Sequence, residues 1–250
     1  MRHRRRIGFI HCTLIIFVIT IGITVTTQPA TASDIVLPPG YTQSEFHNLS
    51  KEVGLAISYV AAAPAAPLGF LHFDVGVEAS VTNIDSGASY WQSAYTGSVP
   101  DYLVVPTLRG RFGLPFGIDV GAEYAYVPSS DIRMAGGEIK WALFKGSTLM
   151  PALSIRGSYT TLMGVSDVDL QTYGADVNIS KGFAIVTPYL GVGEIWIKSS
   201  TSGSVSLSDE TISQTRGFIG VQIGIPLFSF VAEAAFSSIP TYTARLSMGF

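Results

Sequence analysis

From Leu71 onward, apolar and polar residues alternate one by one. Leu71, Phe73, Val75, Val77, Ala79 and Val81 stand opposite His72, Asp74, Gly76, Glu78 and Ser80. Ile118, Val120, Ala122, Tyr124 and Tyr126 stand opposite Asp119, Gly121, Glu123 and Ala125, and Leu149–Tyr159 repeats the pattern. A period of two places one residue set on each face of a strand. It predicts strands at 69–82, 102–112, 117–127, 132–143, 148–159, 168–180, 183–198, 213–225, 228–237 and 241–250. Faces are least clear in 183–198.

Alternation also fits a soluble sandwich or a lipocalin-like barrel, and connections and aromatics separate these. Short connections (113–116, 144–147, 181–182, 226–227) mostly alternate with longer or more polar ones (85–101, 128–131, 160–167, 199–212); the short 238–240 is the exception. Outer-membrane barrels have this asymmetry, with tight periplasmic turns and longer outer loops. On the apolar face, Phe112, Trp141, Phe228 and Phe250 fall near the short-turn side. Tyr102, Tyr124, Tyr126, Tyr159, Phe236 and Tyr242 fall near the long-loop side. Two aromatic girdles match two membrane interfaces. In the last strand, Tyr242, Ala244, Leu246, Met248 and Phe250 share one face. Tyr242, Leu246, Met248 and Phe250 resemble the C-terminal signal by which such barrels are recognised for assembly.

Bacterial single-chain barrels have even strand numbers. Ten strands from Gly69 put both ends of the wall on the short-turn side. An eleventh, at 52–61, breaks parity. A twelfth would have to fit within 35–50, where Pro38-Pro39-Gly40 leaves little room. The expected fold class is all-β: a transmembrane up-and-down antiparallel β-barrel of about ten strands, twelve being the alternative, with a short N-terminal helix or plug segment. That helix is expected at 44–58, because Phe46, Leu49, Val53, Ala56 and Ile57 recur at helical spacing. Ser44 is its expected N-cap and Glu45 suits the first turn. It would plug the lumen from below or lie in the periplasm, with 61–67 as the link; a disordered leader is the alternative.

The start of the chain differs in kind. Arg2, Arg4, Arg5 and Arg6 precede an apolar stretch and then Ala30-Thr31-Ala32, the pattern of a secretory signal cleaved near Ala32. The expected divisions are a signal peptide at 1–32, an N-terminal periplasmic or plug segment at 33–68, and a barrel at 69–250. Cleavage leaves all 18 acidic residues but removes four of the 15 Lys and Arg, for a net charge of −7. A chain this acidic is a poor partner for nucleic acid. The single cysteine, Cys12, leaves too, which excludes disulfides and thiolate chemistry in the remainder.

Opposite the apolar face lie Asp74, Glu78, Arg109, Arg111, Asp119, Glu123, Glu138, Lys140, Arg156, Asp176, Arg216, Glu233 and Arg245. Charges in a narrow lumen must be paired or hydrated. The turn at 113–116 should bring Arg111 near Asp119, and the turn at 144–147 should bring Arg156 near Glu138. Arg109, Arg111, Asp119, Glu123, Glu138 and Arg156 form the candidate constriction; an interlocking charged core is the structural alternative. His47 and His72 lie before the barrel and at its periplasmic end, so no nucleophile–His–carboxylate set follows. No enzyme, cofactor or metal site is expected.

Several phrases resemble a family of bacterial outer-membrane barrel proteins of uncharacterised function. They are 44–59 (SEFHNLSKEVGLAISY), 67–69 (PLG), 73–78 (FDVGVE), 113–121 (GLPFGIDVG) and 180–193 (SKGFAIVTPYLGVG). The resemblance implies that the segment before the wall belongs to the domain. It carries no substrate or catalytic residue. Two functions remain: a small porin-like channel or transport barrel of unknown cargo, and a structural or surface-interaction barrel working through loops such as 85–101, with Tyr90, Trp91 and Tyr95. Expected partners are outer-membrane lipids, lipopolysaccharide and the barrel-assembly machinery of a Gram-negative bacterium.

Overall fold

The computed structural model describes residues 35–95, 97–127, 131–202 and 205–249. The expected signal and Phe250 lie outside the described residues. A helix, α1 (Gln43–Ile57), precedes the wall. The wall strands are β1 (Phe73–Asn83), β2 (Tyr102–Gly113), β3 (Ile118–Tyr126), β4 (Arg133–Lys145), β5 (Ala152–Met163), β6 (Val168–Ser180), β7 (Val186–Thr201), β8 (Glu210–Ile225), β9 (Phe228–Phe236) and β10 (Pro240–Gly249). A short helix, α2 (Ser89–Ala94), lies between β1 and β2. Each strand pairs antiparallel with its neighbours, and β1 pairs with β10 to close the barrel. Closure leaves no edge, so the ladder satisfies the backbone without water.

The fifth strand starts later than the expected 148. Gly146 takes a positive φ, and the Ser147 hydroxyl accepts from the amides of Leu149 and Met150, so a turn occupies the apolar positions that read as strand. The first strand likewise starts at Phe73, because 69–72 forms a turn. The Gly113 amide donates to the His72 carbonyl and the Leu71 amide to the Gly113 carbonyl. Gly69 there has φ 103°, and a side chain at Gly113 would collide with the Gly69 carbonyl.

The outer face is apolar from turn to loop. Val75, Val77, Leu108, Ile139, Leu190, Ile219 and Leu246 are all exposed on it. Phe112, Trp141 and Phe228 ring the short-turn end, and Tyr102, Tyr124, Tyr126, Tyr159, Phe236 and Tyr242 ring the long-loop end. A continuous apolar belt of this extent belongs in a bilayer. No helix among the described residues is long and apolar enough to cross a membrane. The strands cross instead.

α1 is capped by Thr42, not Ser44. The Thr42 hydroxyl accepts from the Glu45 amide, and the Glu45 carboxylate accepts from the Thr42 amide, a reciprocal capping box. Phe46, Leu49, Val53, Ala56 and Ile57 are buried. The expected place of the helix is corrected by its contacts. α1 lies at the long-loop mouth, not beneath the barrel. Its apolar face finds the main hydrophobic cluster there, with Trp91, Ile84, Leu170, Ile195 and Ile197. The lumen below is mostly charged, and its smaller apolar cluster of Tyr189, Phe218, Val231 and Ala235 is taken by Val60, Ala61 and Ala62 of the segment that follows the helix.

Candidate functional site

Between α1 and the wall, residues 58–68 run through the lumen. The segment begins where Ser58 ends the helix, its hydroxyl donating to the Leu55 carbonyl. It contains Ala61-Ala62-Ala63-Pro64-Ala65-Ala66-Pro67. Alanine is narrow enough for a crowded lumen, and proline brings no N–H that would need a partner. The carbonyls still need donors, and the wall supplies them level by level. Arg216 Nη2 donates to the Tyr59 carbonyl at 3.0 Å. Arg156 Nη1 and Arg109 Nη1 donate to Val60 at 2.8 and 3.1 Å. Arg245 donates to Ala62 and Asn178 to Ala63 at 3.2 and 2.9 Å. Lys140 Nζ bridges the Pro64 and Ala66 carbonyls at 3.1 and 3.0 Å. In return, the amides of Ala62, Ala65 and Leu68 donate to Glu233, Ser180 and Asp119.

All thirteen inward charges are buried. Arg109 bridges Glu78 and Glu123 at 3.2 and 2.5 Å and lies over the Tyr59 ring, 4.3 Å from its centre. Arg156 contacts Asp176 at 2.5 Å and Glu138 at 3.5 Å. The expected Arg111–Asp119 pair is corrected. Asp119 takes Lys140 at 3.0 Å, while Arg111 turns to Asp74 at 3.3 Å. The register explains this, since Arg111 stands opposite Gly121 on one side and Asp74 on the other. Asp74 also pairs with Arg245 across the β1–β10 seam. The candidate constriction residues are thus divided among several pairs, most of which also hold the threaded segment. A cavity beside Ser58, Glu78, Thr107 and Glu123 measures about 10 Å³, room for roughly one water. A far larger groove, about 960 Å³, lies on the outer wall along Ala79, Leu190, Ile219 and Tyr242.

At the mouth, Glu52 is the fastening. Its carboxylate accepts from Trp91 Nε1 at 2.6 Å, the Tyr90 hydroxyl at 2.9 Å and the Asp85 amide at 3.2 Å. Burial, followed by the bond to Glu52, raises the Tyr90 phenol above its ordinary pKa. Burial, with Glu45 beside it, does the same to Tyr41, whose hydroxyl donates to the Tyr90 carbonyl. Tyr90 and Trp91 therefore face α1, and Trp91 is fully buried. Of the aromatics expected in the 85–101 loop, these two are thus turned onto the helix. Gln43 and His47 reach Glu210 at the start of β8, tying α1 to a third loop region. His72 is exposed at the opposite end. Among the described residues, no group of three His, Cys, Asp or Glu is placed to hold a metal. The residue pattern does not single out Glu52 or the threaded segment, since Glu52 is one polar position of a helix and the Ala/Pro run at 61–67 is expected as a link.

A closed ten-strand wall with an apolar outer belt and a charged, filled lumen defines a transmembrane β-barrel of the outer-membrane type. Comparison with solved structures found several similar chains. The N-terminal barrel domain of Pseudomonas aeruginosa OprF is 12% identical, with 71% of this chain and 97% of that one covered and a TM-score of 0.38. Omp33 of Acinetobacter baumannii is 10% identical over 72% and 98%, with a TM-score of 0.33. Ail of Yersinia pestis is 16% identical over 73% and 100%, with a TM-score of 0.29. No family model and no curated protein matches the chain.

Proposed function

We propose that this protein is an outer-membrane barrel sealed by its own N-terminal segment, working as a structural or surface-interaction barrel through its long-loop mouth. The observation behind the proposal is the threaded lumen, in which wall charges are spent on each other and on the backbone of 59–68. Ten strands enclose little more than side chains can fill, and the thread takes that space. On this view the bilayer meets the apolar belt, lipopolysaccharide meets the long-loop rim, and assembly machinery reads the last strand. The chain is exported on its signal, which is cleaved near Ala32.

The experiment is planar-bilayer recording of the refolded protein. The intact chain should insert without steady conductance, and a stable open current would overturn the proposal. The channel alternative draws on one observation: the wall closes through β1 and β10 alone, and the thread is not one of its strands. Removing the thread would therefore leave the sheet closed. Deleting 34–66 tests this second reading, since a lumen that stays silent without its thread is no pore.

A further inference from the structure

Resting on the sealed barrel and the orientation proposed above, we infer that the lumen conveys this protein's own N-terminal segment outward, so that the chain from Ile35 through α1 stands at the cell surface. The wall begins and ends at the short-turn end, which in outer-membrane barrels faces the periplasm. The segment that precedes the wall does not stay there. Leu68 is held by Asp119 beside the β2–β3 turn, Ala62 by Glu233 further up, and Tyr59 by Arg216 near α1. Eleven extended residues reach at most about 3.3–3.6 Å each, enough to cross a hydrocarbon core of about 30 Å.

Above α1 the chain remains at the mouth. The Val36 amide donates to the Ala94 carbonyl at 3.0 Å in the β1–β2 connection, and Ile35 bridges to Tyr95. The Leu37 amide donates to Asp167 at 3.0 Å, in the β5–β6 connection. Val36 is 47% exposed. Two long-loop connections therefore grip the chain just after the point where 34 and earlier residues join it.

The geometry also orders the events. A helix is about 10 Å across, and the filled lumen cannot pass α1. The segment must be in place before β1 meets β10. The 69–72 turn makes this feasible, because it joins the thread to β1 as an antiparallel hairpin that can enter together. Closure then locks it, since Arg245 of β10 donates to the Ala62 carbonyl while pairing with Asp74 of β1. An apolar stretch such as 7–25 would be stranded outside if still attached, so cleavage near Ala32 has to come first.

Cysteine labelling tests this directly in the full chain, whose single natural cysteine, Cys12, lies in the expected signal. Val36→Cys, Ser206→Cys in the β7–β8 loop and Leu149→Cys in a short turn are treated on intact cells with a membrane-impermeant maleimide. Val36→Cys and Ser206→Cys should label fully, and Leu149→Cys only after lysis. Val36→Cys protected while Ser206→Cys labels would overturn the inference yet leave the sealed barrel standing, because bilayer silence is measured separately. Ser206→Cys protected while Leu149→Cys labels would overturn it by inverting the barrel. An epitope inserted between Ala32 and Ser33 gives a second readout should Val36→Cys fail to assemble. Antibody binding on intact cells is expected, and binding only after lysis refutes the inference.

Discussion

Arg109→Met tests whether the lumen is a sealed core. Methionine keeps much of the volume and removes the charge. Glu123 loses its partner at 2.5 Å, Glu78 loses one at 3.2 Å, and the Val60 carbonyl loses a donor at 3.1 Å. All of these groups are buried. Removing one member of a buried pair costs about 3–5 kcal/mol, because the other charge stays behind uncompensated. At about 1.4 kcal/mol per tenfold, this lowers the folded-to-unfolded ratio by roughly a hundredfold to a few thousandfold. Equilibrium urea unfolding in phospholipid vesicles, followed by the fluorescence of Trp91, Trp141 and Trp196, measures it. The double variant with Glu123→Met should recover much of the loss, since it takes both charges out. A loss below about 1 kcal/mol is what a water-exposed pair gives. That result would mean a hydrated lumen and would refute the sealed core.

Gly54→Val should lift α1 from β7. A Cβ at Gly54 would stand 2.5 Å from Ile197 Cγ2, and overpacking of this kind costs about 1–3 kcal/mol. Faster tryptic cleavage at Lys51 with an unchanged unfolding midpoint of the wall is the expected pair of results. Acid should loosen the mouth through Glu45, whose carboxyl is held below its ordinary value of 4.5 by the Thr42 amide, the Thr42 hydroxyl and the Ser89 hydroxyl. A depressed acid stabilises fully above its unfolded pKa and loses that contribution as pH falls through the folded one. Trp91 emission should therefore hold steady above about pH 4.5 and shift below it, and Glu45→Gln should flatten this response.

The strands were legible because a membrane wall imposes the simplest of patterns. One face meets lipid and the other meets a polar interior, so each strand alternates and the girdles fall at its ends. The Arg156–Glu138 contact was legible too, because neighbouring strands bring two inward residues to adjacent levels, even though the connection spans 146–151 and a bulge at Ala142/Phe144 shifts the register. Asp119 was harder. Its partner depends on which of two flanking strands offers a cation at the right level, and Lys140 on β4 does so while Arg111 on β2 turns to Asp74. Trp91 misled for a different reason. An aromatic in a polar loop looks the same in sequence whether it faces a partner or folds onto a helix, and only the arrival of Glu52 decides.

The amino-acid order alone determined the wall: which residues face lipid, which face inward, and that the two ends of the wall share a side. Those are local properties of period and turn. It also determined a helix near 44–58, through the apolar spacing, while the cap at Thr42 rather than Ser44 came from the structure. Where that helix goes was decided only in three dimensions. Residues 58–68 have almost no side-chain pattern, and beside the Tyr59 ring under Arg109 and the packing of Val60–Ala62 on Phe218 and Val231, what holds them is their backbone, which every residue possesses. Arginines, a lysine and an asparagine from separate strands recognise that backbone only after the barrel has brought them around it. The segment expected beneath the barrel thus runs up through it, because its carbonyls match the donors of the lumen and its helix matches the apolar cluster at the mouth.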